Sequence, residues 1–402
     1  MKRAFLHNTA CFFALLFIVF IPFPFTLTRV QGPVSDFIFG RLIGVIADHI
    51  FHQPLRNTHI YSDSLPMYIL TLLLLLIAMV IAFLVQRWKK WSAIKQKVYR
   101  LLATVFVYYL ALQLMKYGVD KIFKNQFYLP EPNILYTPLG DVDRDLLYWS
   151  SMGTSYTYSL FMGILETGAA LLLVFRKTRL IGLLAGLGIM INVVAVNIGF
   201  DISVKLFAIF LLYLAIYLLV PYRQRLVALL VIDKQAPANP APENPYIEKD
   251  HFILHVLKWL AIMLLLFETL FPFIRTGNFN GDKVARPLLH GAYAVEQMIV
   301  GKDTLSGPNT PLKRVFVHKD SYFILQDQQD QLRDYKLSYD QTNALLILTN
   351  YDMSRKFVHF MYADSILQLR YLTKNDSTRI IARQLDWKKM PALKAQFHWI
   401  AE

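Results

Sequence analysis

Seven apolar stretches run through this chain: Ala10–Leu27, Met67–Val85, Leu101–Leu114, Tyr156–Val174, Leu180–Gly199, Val204–Val220 and Phe252–Phe271. A hydrocarbon core about 30 Å thick is crossed by roughly 20 apolar residues of helix. The spacing therefore predicts an α-helical integral membrane protein of about seven transmembrane helices. The loops between the stretches give it a direction. Arg87, Lys89, Lys90, Lys95, Lys97 and Arg100 crowd one loop without an acid, Arg176, Lys177 and Arg179 fill another, and Arg223 and Arg225 open a third. Counting spans, these loops share a face with Lys2 and Arg3. The loop Lys116–Thr154, with Asp120, Glu131, Asp141, Asp143 and Asp145 against its few bases, falls on the opposite face. The positive-inside rule then predicts a cytoplasmic N-terminus and an external C-terminal portion.

Composition agrees: 55% of the 402 residues are hydrophobic, 17% are charged and the mean hydropathy is +0.38. A net charge of +14 would usually raise nucleic acid as a partner. Here much of the excess lies in the predicted cytoplasmic loops, where anionic headgroups of the lipid bilayer account for it. The single cysteine, Cys11, lies in the first apolar stretch, which excludes both an internal disulfide and a Cys-x-x-Cys relay. That stretch continues through Phe23, Phe25 and Leu27 with no Ala-x-Ala site, so a retained first span is expected rather than a cleaved signal peptide.

The long loop 28–66 carries Phe37, Phe39, Leu42, Ile43, Val45, Ile46 and Ile50 at helical spacing, predicting an interfacial amphipathic helix. Ala236–Pro245 is proline-rich and reads as a stiff cytoplasmic linker. Beyond Arg275 a helical stretch, Val284–Val300, is expected to precede seven short strands. The period-two runs Tyr335, Leu337, Tyr339 and Leu367, Leu369, Tyr371 are the clearest of these. They predict an all-β meander or small barrel, with Phe397-His-Trp399 covering one end. The expected organisation is a two-span region over 1–98, a four-span bundle over 99–221, a linker over 222–251, a seventh span over 252–271 and an extracytoplasmic β-rich domain over 272–402.

Within Gln113–Pro221, Tyr117-Gly118-x-x-Lys121 and Gln126-Phe127 are followed by Gly163-x-x-Glu166-x-Gly168, the run Ala170–Leu173, the basic turn Arg176–Arg179 and Asp201-x-x-x-Lys205. This stretch, about a quarter of the chain, resembles the DoxX family of small bacterial four-span membrane proteins. The whole arrangement looks like a larger group with a DoxX-like core and an external strand-rich tail ending in Phe-His-Trp. The resemblance implies a DoxX-like four-helix bundle in the bacterial cytoplasmic (inner) membrane. It also implies an association with quinone-coupled oxidation of sulfur compounds or thiols. The chain departs from the small members in its added spans and its outer domain.

Ionisable groups at bilayer depth cost about 2.5–3.5 kcal/mol on insertion scales and face a partner or a cavity. The pocket candidates are Gln113, Lys116, Lys121, Glu166, Asn192, Asn197, Asp201, Lys205 and Glu268, most of them toward the outer half of their spans. Glu166 would carry a proton or anchor a ligand, with Lys116, Lys121 or Lys205 as counter-charge. A structural ion pair holding the helices in register is the equal alternative. On the outer loop, His49 and His52 share a helix face and are weak metal candidates. They lack a third ligand of good spacing, and polar-face histidines at the headgroup level explain them better. No phosphate loop, dinucleotide fingerprint, serine triad or zinc signature appears, and catalytic residues are not assignable. The function expected is an accessory component of a membrane redox or quinone-linked system with an outward polar pocket. The alternative is a non-enzymatic transporter or envelope scaffold whose outer β domain binds a membrane or periplasmic partner. Alternating access would ask for polar groups on both sides of the midplane, which counts against the transporter.

Overall fold

The structure, a computed structural model, describes residues 2–23, 30–55, 59–230, 252–372, 376–394 and 400. The proline-rich segment Ala236–Pro245 and Phe397-His-Trp399 lie outside them. Among the described residues the α-helices are α1 (Lys2–Phe20), α2 (Gln31–His49), α3 (Leu65–Arg87), α4 (Trp91–Ile122), α5 (Pro132–Leu135), α6 (Arg144–Thr154), α7 (Tyr156–Val174), α8 (Arg179–Gly199), α9 (Lys205–Leu219), α10 (Arg223–Leu230) and α11 (Phe252–Thr276). Among the described residues seven helical stretches are long and apolar enough to cross a membrane, falling in α1, α3, α4, α7, α8, α9 with its extension, and α11.

The chain divides into two compact units, 1–126 with 159–279, and 127–158 with 280–402. The first is a helical assembly around one apolar core. Helix α1 contributes Cys11, Ala14 and Phe17 to it, with Phe17 stacked on Phe210 at a centroid distance of 3.8 Å. Polar groups fix α1 further. Tyr99 donates to Asn8 Oδ1, and Tyr213 donates to the Ala10 carbonyl at 2.7 Å. Helix α3 begins with Pro66 in its first turn, where the missing N–H is no loss, and Ser64 caps it.

Two of the expected spans are displaced. The first helix is Lys2–Phe20, not Ala10–Leu27, because Pro22 cannot donate the next helical hydrogen bond and the chain leaves the helix just before it. Lys2 and Arg3 stay inside it. The third is Trp91–Ile122, far longer than Leu101–Leu114, so that most of the basic Arg87–Arg100 loop is its first three turns. Periodicity in apolar residues misses these turns because Lys95, Lys97 and Arg100 interrupt it. The expected outer-loop helix is present as α2, with Phe37 fully outward.

The second unit is a β-barrel built from β1 (Gly291–Val300), β2 (Asp303–Ser306), β3 (Leu312–His318), β4 (Tyr322–Asp327), β5 (Leu332–Asp340), β6 (Leu345–Thr349), β7 (Arg355–Ala363), β8 (Ile366–Leu372) and β9 (Ser377–Gln384). Neighbours are antiparallel throughout, and β1 pairs with β9, closing eight strands. On its other edge β1 pairs first with β3 and then with the short β2. The helix expected over Val284–Val300 is thus strand β1 beyond Gly291. A bulge at Glu296 explains the misreading, since the register with β9 slips between Val295 and Gln297. The extra residue turns both Val295 and Met298 inward, and the resulting i, i+3, i+4 apolar spacing imitates a helix. The expected strands are otherwise found. Asp364 and Ser365, both at positive φ, form the two-residue hairpin between β7 and β8.

The barrel interior is filled by side chains, among them Tyr293, Val315, Phe323, Tyr335, Leu346, Leu367 and Ile380. One outer wall is also apolar. Ala292, Phe316 and Ile324 face away from the interior and are covered by Trp387, Leu135, Tyr136 and Leu393. Segment 127–158, which follows the third candidate span, therefore belongs to the same unit as the chain after the seventh. Four candidate spans separate the two segments, and an even number of crossings returns a chain to one side. A count of seven and the make-up of this unit agree.

Candidate functional site

In the helical unit the structure brings Lys121 and Glu166 together. The ammonium Nζ lies 2.8 Å from Oε2, and both residues are buried. The sequence explains how. Gly118 and Gly163 each precede their charged residue by three positions, hence share its helix face. A Cβ on Gly118 would stand 2.8 Å from the Gly163 carbonyl, and one on Gly163 would stand 2.6 Å from the Gly118 carbonyl. Helices α4 and α7 thus touch backbone to backbone, which holds a short ammonium–carboxylate contact one turn away. Ser159 adds a hydrogen bond to the Lys121 carbonyl at 2.9 Å. The Gly163→Ala variant should lose about 1–3 kcal/mol through overpacking at this crossing. A lowered thermal midpoint of the purified full chain is the measurement, and an unchanged midpoint would show that the crossing has slack.

The other polar candidates are dispersed. Gln113 is fully buried and neither amide atom makes a well-formed hydrogen bond, although Tyr109 one turn earlier interacts with it. Asn197 is buried with its Nδ2 unpartnered, Glu268 is buried in α11, and Asn192 is exposed on α8. Lys116 is half-buried, one turn before Asp120. Asp201 and Lys205 pair at 2.7 Å, and Asp63 accepts from the Lys205 and Leu206 amides at 2.8 and 3.1 Å, capping the start of α9 from a distant loop. His49 bonds the Val45 carbonyl and His52 has a positive φ. Among the described residues no group of three potential ligands is placed to hold a metal ion.

A second cluster, in the barrel unit, gives no local sign in the sequence. Glu131 precedes α5, and its buried carboxylate lies 2.8 Å from His290 Nε2 while accepting the Lys319 amide at 3.2 Å. Arg286 stands 3.8 Å from its other oxygen. Asp282 accepts the Leu129 amide at 2.7 Å, and the Lys319 ammonium lies over the Tyr128 ring. His318 Nδ1 lies 3.1 Å from the Asp320 amide. These contacts strap the inserted segment to the barrel. Burial alone would raise the Glu131 carboxyl. The His290 hydrogen bond and the positive charges of His318, His290 and Arg286 outweigh it and hold the group below the usual carboxylate range. Burial lowers His318 and Lys319, in both cases against nearby acids. The cluster joins acids and bases of the inserted segment to those of the barrel, and its geometry is that of a latch.

A protein of Bacillus subtilis (strain 168), described as uncharacterized protein YwoB, is 28% identical over 130 residues, 32% of this chain and 82% of the relative. The chain matches no protein-family model and no solved structure.

Proposed function

We propose that the protein is a membrane-anchored scaffold that presents its β-barrel as a binding module on the outer side of the bacterial cytoplasmic membrane. One observation carries the reading: the barrel's two walls are treated differently. The wall formed by β1, β3 and β4 is covered by the chain's own α5 and C-terminal turns. Among the described residues nothing covers the wall formed by β6–β9, where Phe357 and Met361 are each 56% exposed, with His359 between them and Arg355 before them. Outward-facing large apolar side chains interleaved with bases mark a surface that meets something else. The charge bias of the loops supports the external side. A photo-crosslinking residue at Phe357 or Met361 should give a discrete adduct in cells, and one at Tyr136 or Leu393 on the covered wall should not. Equal yields from the two walls would sink the proposal.

The quinone-linked accessory role is the second reading, supported by the buried Lys121–Glu166 pair, the unsatisfied Gln113 amide and the DoxX resemblance. A quinone co-purifying with the wild-type chain, and lost in Glu166→Gln, is its expected signature. Crosslinking from Phe357 should be indifferent to Glu166→Gln if the barrel is the working part.

A further inference from the structure

We propose that the bare wall carries a site for a phosphate ester, centred on Arg370 and Arg379; this rests on the binding-module reading and names its ligand class. His359 on β7 stands directly opposite Arg370 on β8, and Arg370 directly opposite Arg379 on β9. Val358, Leu369 and Ile380 point into the barrel, so these three basic residues form one outward row across adjacent strands. Like charges placed directly opposite destabilise a sheet. At two other places on the barrel basic residues have acid partners. Arg383 binds Glu296 at 2.5 Å, and Lys313 binds Asp330 at 2.6 Å with Arg314 alongside. Among the described residues no carboxylate lies within 4.0 Å of Arg370 or Arg379, and Arg379 has only the neutral Gln368 oxygen at 2.5 Å.

The row borders a groove of about 490 Å³, whose lining includes His359, Met361, Arg370, Ser377, Arg379 and Ile299. Cross-strand neighbours hold their Cβ atoms about 4.5–5.5 Å apart, so two guanidinium forks can converge on one tetrahedral anion and each donate twice. A phosphate suits that arrangement better than a single planar carboxylate, which one fork saturates. The groove is larger than a bare phosphate needs. Met361, Ile299 and the Ser377 hydroxyl would face the organic part of the ester, and the imidazole of His359 adds a third donor. A soluble phosphate ester and a lipid headgroup offer the same chemistry to this row.

The test uses the full chain in a non-ionic detergent with methyl-labelled methionine, the Met361 signal being assigned through Met361→Leu. Met361 reports the groove and Met298, inside the barrel, reports the fold. Glycerol 3-phosphate probes the soluble source. Dihexanoyl phosphatidylglycerol probes the headgroup, and dihexanoyl phosphatidylcholine is the zwitterionic control. A saturable shift of Met361 with either anionic probe is expected, weakened by about tenfold or more in R370Q/R379Q and unchanged in R333Q/K336Q, which removes the same charge from β5. Met361 unmoved by both anionic probes overturns the site. So does equal affinity in R370Q/R379Q, or an equal shift with the zwitterionic lipid. If the site fails while Phe357 still crosslinks in cells, only the ligand class is wrong. If crosslinking fails too, the binding-module reading falls with it.

Discussion

Replacing Lys121 by methionine is expected to destabilise the helical unit by about 3–5 kcal/mol. The cost comes from what is left behind. Glu166 is only 1% exposed and its Oε2 is 2.8 Å from the Lys121 ammonium. Without that charge the carboxylate must stay ionised in an apolar interior or take up a proton, and either is unfavourable. Glu166→Gln should cost less, because the amide oxygen still accepts from Lys121. The informative variant is the double replacement Lys121→Met with Glu166→Met, which removes both charges and leaves apolar volume between α4 and α7. Buried pairs replaced in this way are often neutral in stability, so the double variant should recover most of the loss. Thermal unfolding of the detergent-solubilised full chain measures all three. A double variant no better than Lys121→Met would mean that the pair does more than neutralise itself. It would bring the quinone-linked reading forward.

The acid of that pair was legible from residue order because its signal is local. Glu166 sits in an apolar run, where bilayer depth makes an ionisable residue conspicuous, whereas Lys121 lies in a charged outer loop and was one of three bases expected as its counter-charge. The barrel was half legible for a related reason. Tyr335 and Leu337, and Leu367 and Leu369, alternate cleanly and are buried as the alternation demands. β1 hides because the single bulge at Glu296 breaks its period. The Glu131 latch had no local sign. Its partner His290 lies 159 positions away, and an acid among other loop acids reads as solvated. Only the flanking Pro130 and Pro132 mark the place, and they speak of a turn rather than of a buried charge. The basic row was equally silent, since His359, Arg370 and Arg379 become neighbours only through the register of three strands.

Glu131→Ala is expected to loosen 127–158 from the barrel by about 3 kcal/mol, since it leaves the Lys319 amide and His290 without their shared acceptor. The barrel should survive, because its interior contains none of these groups. Acid should do the same in two steps. His318, on β3 beneath the docked segment, is held below its ordinary value of 6.5 by burial, so with 127–158 undocked it binds the proton first and the docked form loses stability as pH falls below 6.5. Glu131 is held below 4.5. Its contribution is complete above that pH and is lost as pH falls through the lower, folded value. Tyr128, Asp282, Asp320, Arg286, Lys319 and His290 face the same cluster. Hydrogen exchange at the Leu129 and Ile134 amides, corrected for its intrinsic pH dependence, reports the docking directly. Protection should decline below about pH 6.5 and again below about 4.5, with the lower step missing in Glu131→Ala. If both amides stay protected down to the pH at which Met298 and Val315 in the barrel wall begin to exchange, the segment and the barrel unfold as one. The cluster would then be an ordinary part of the fold and not a latch.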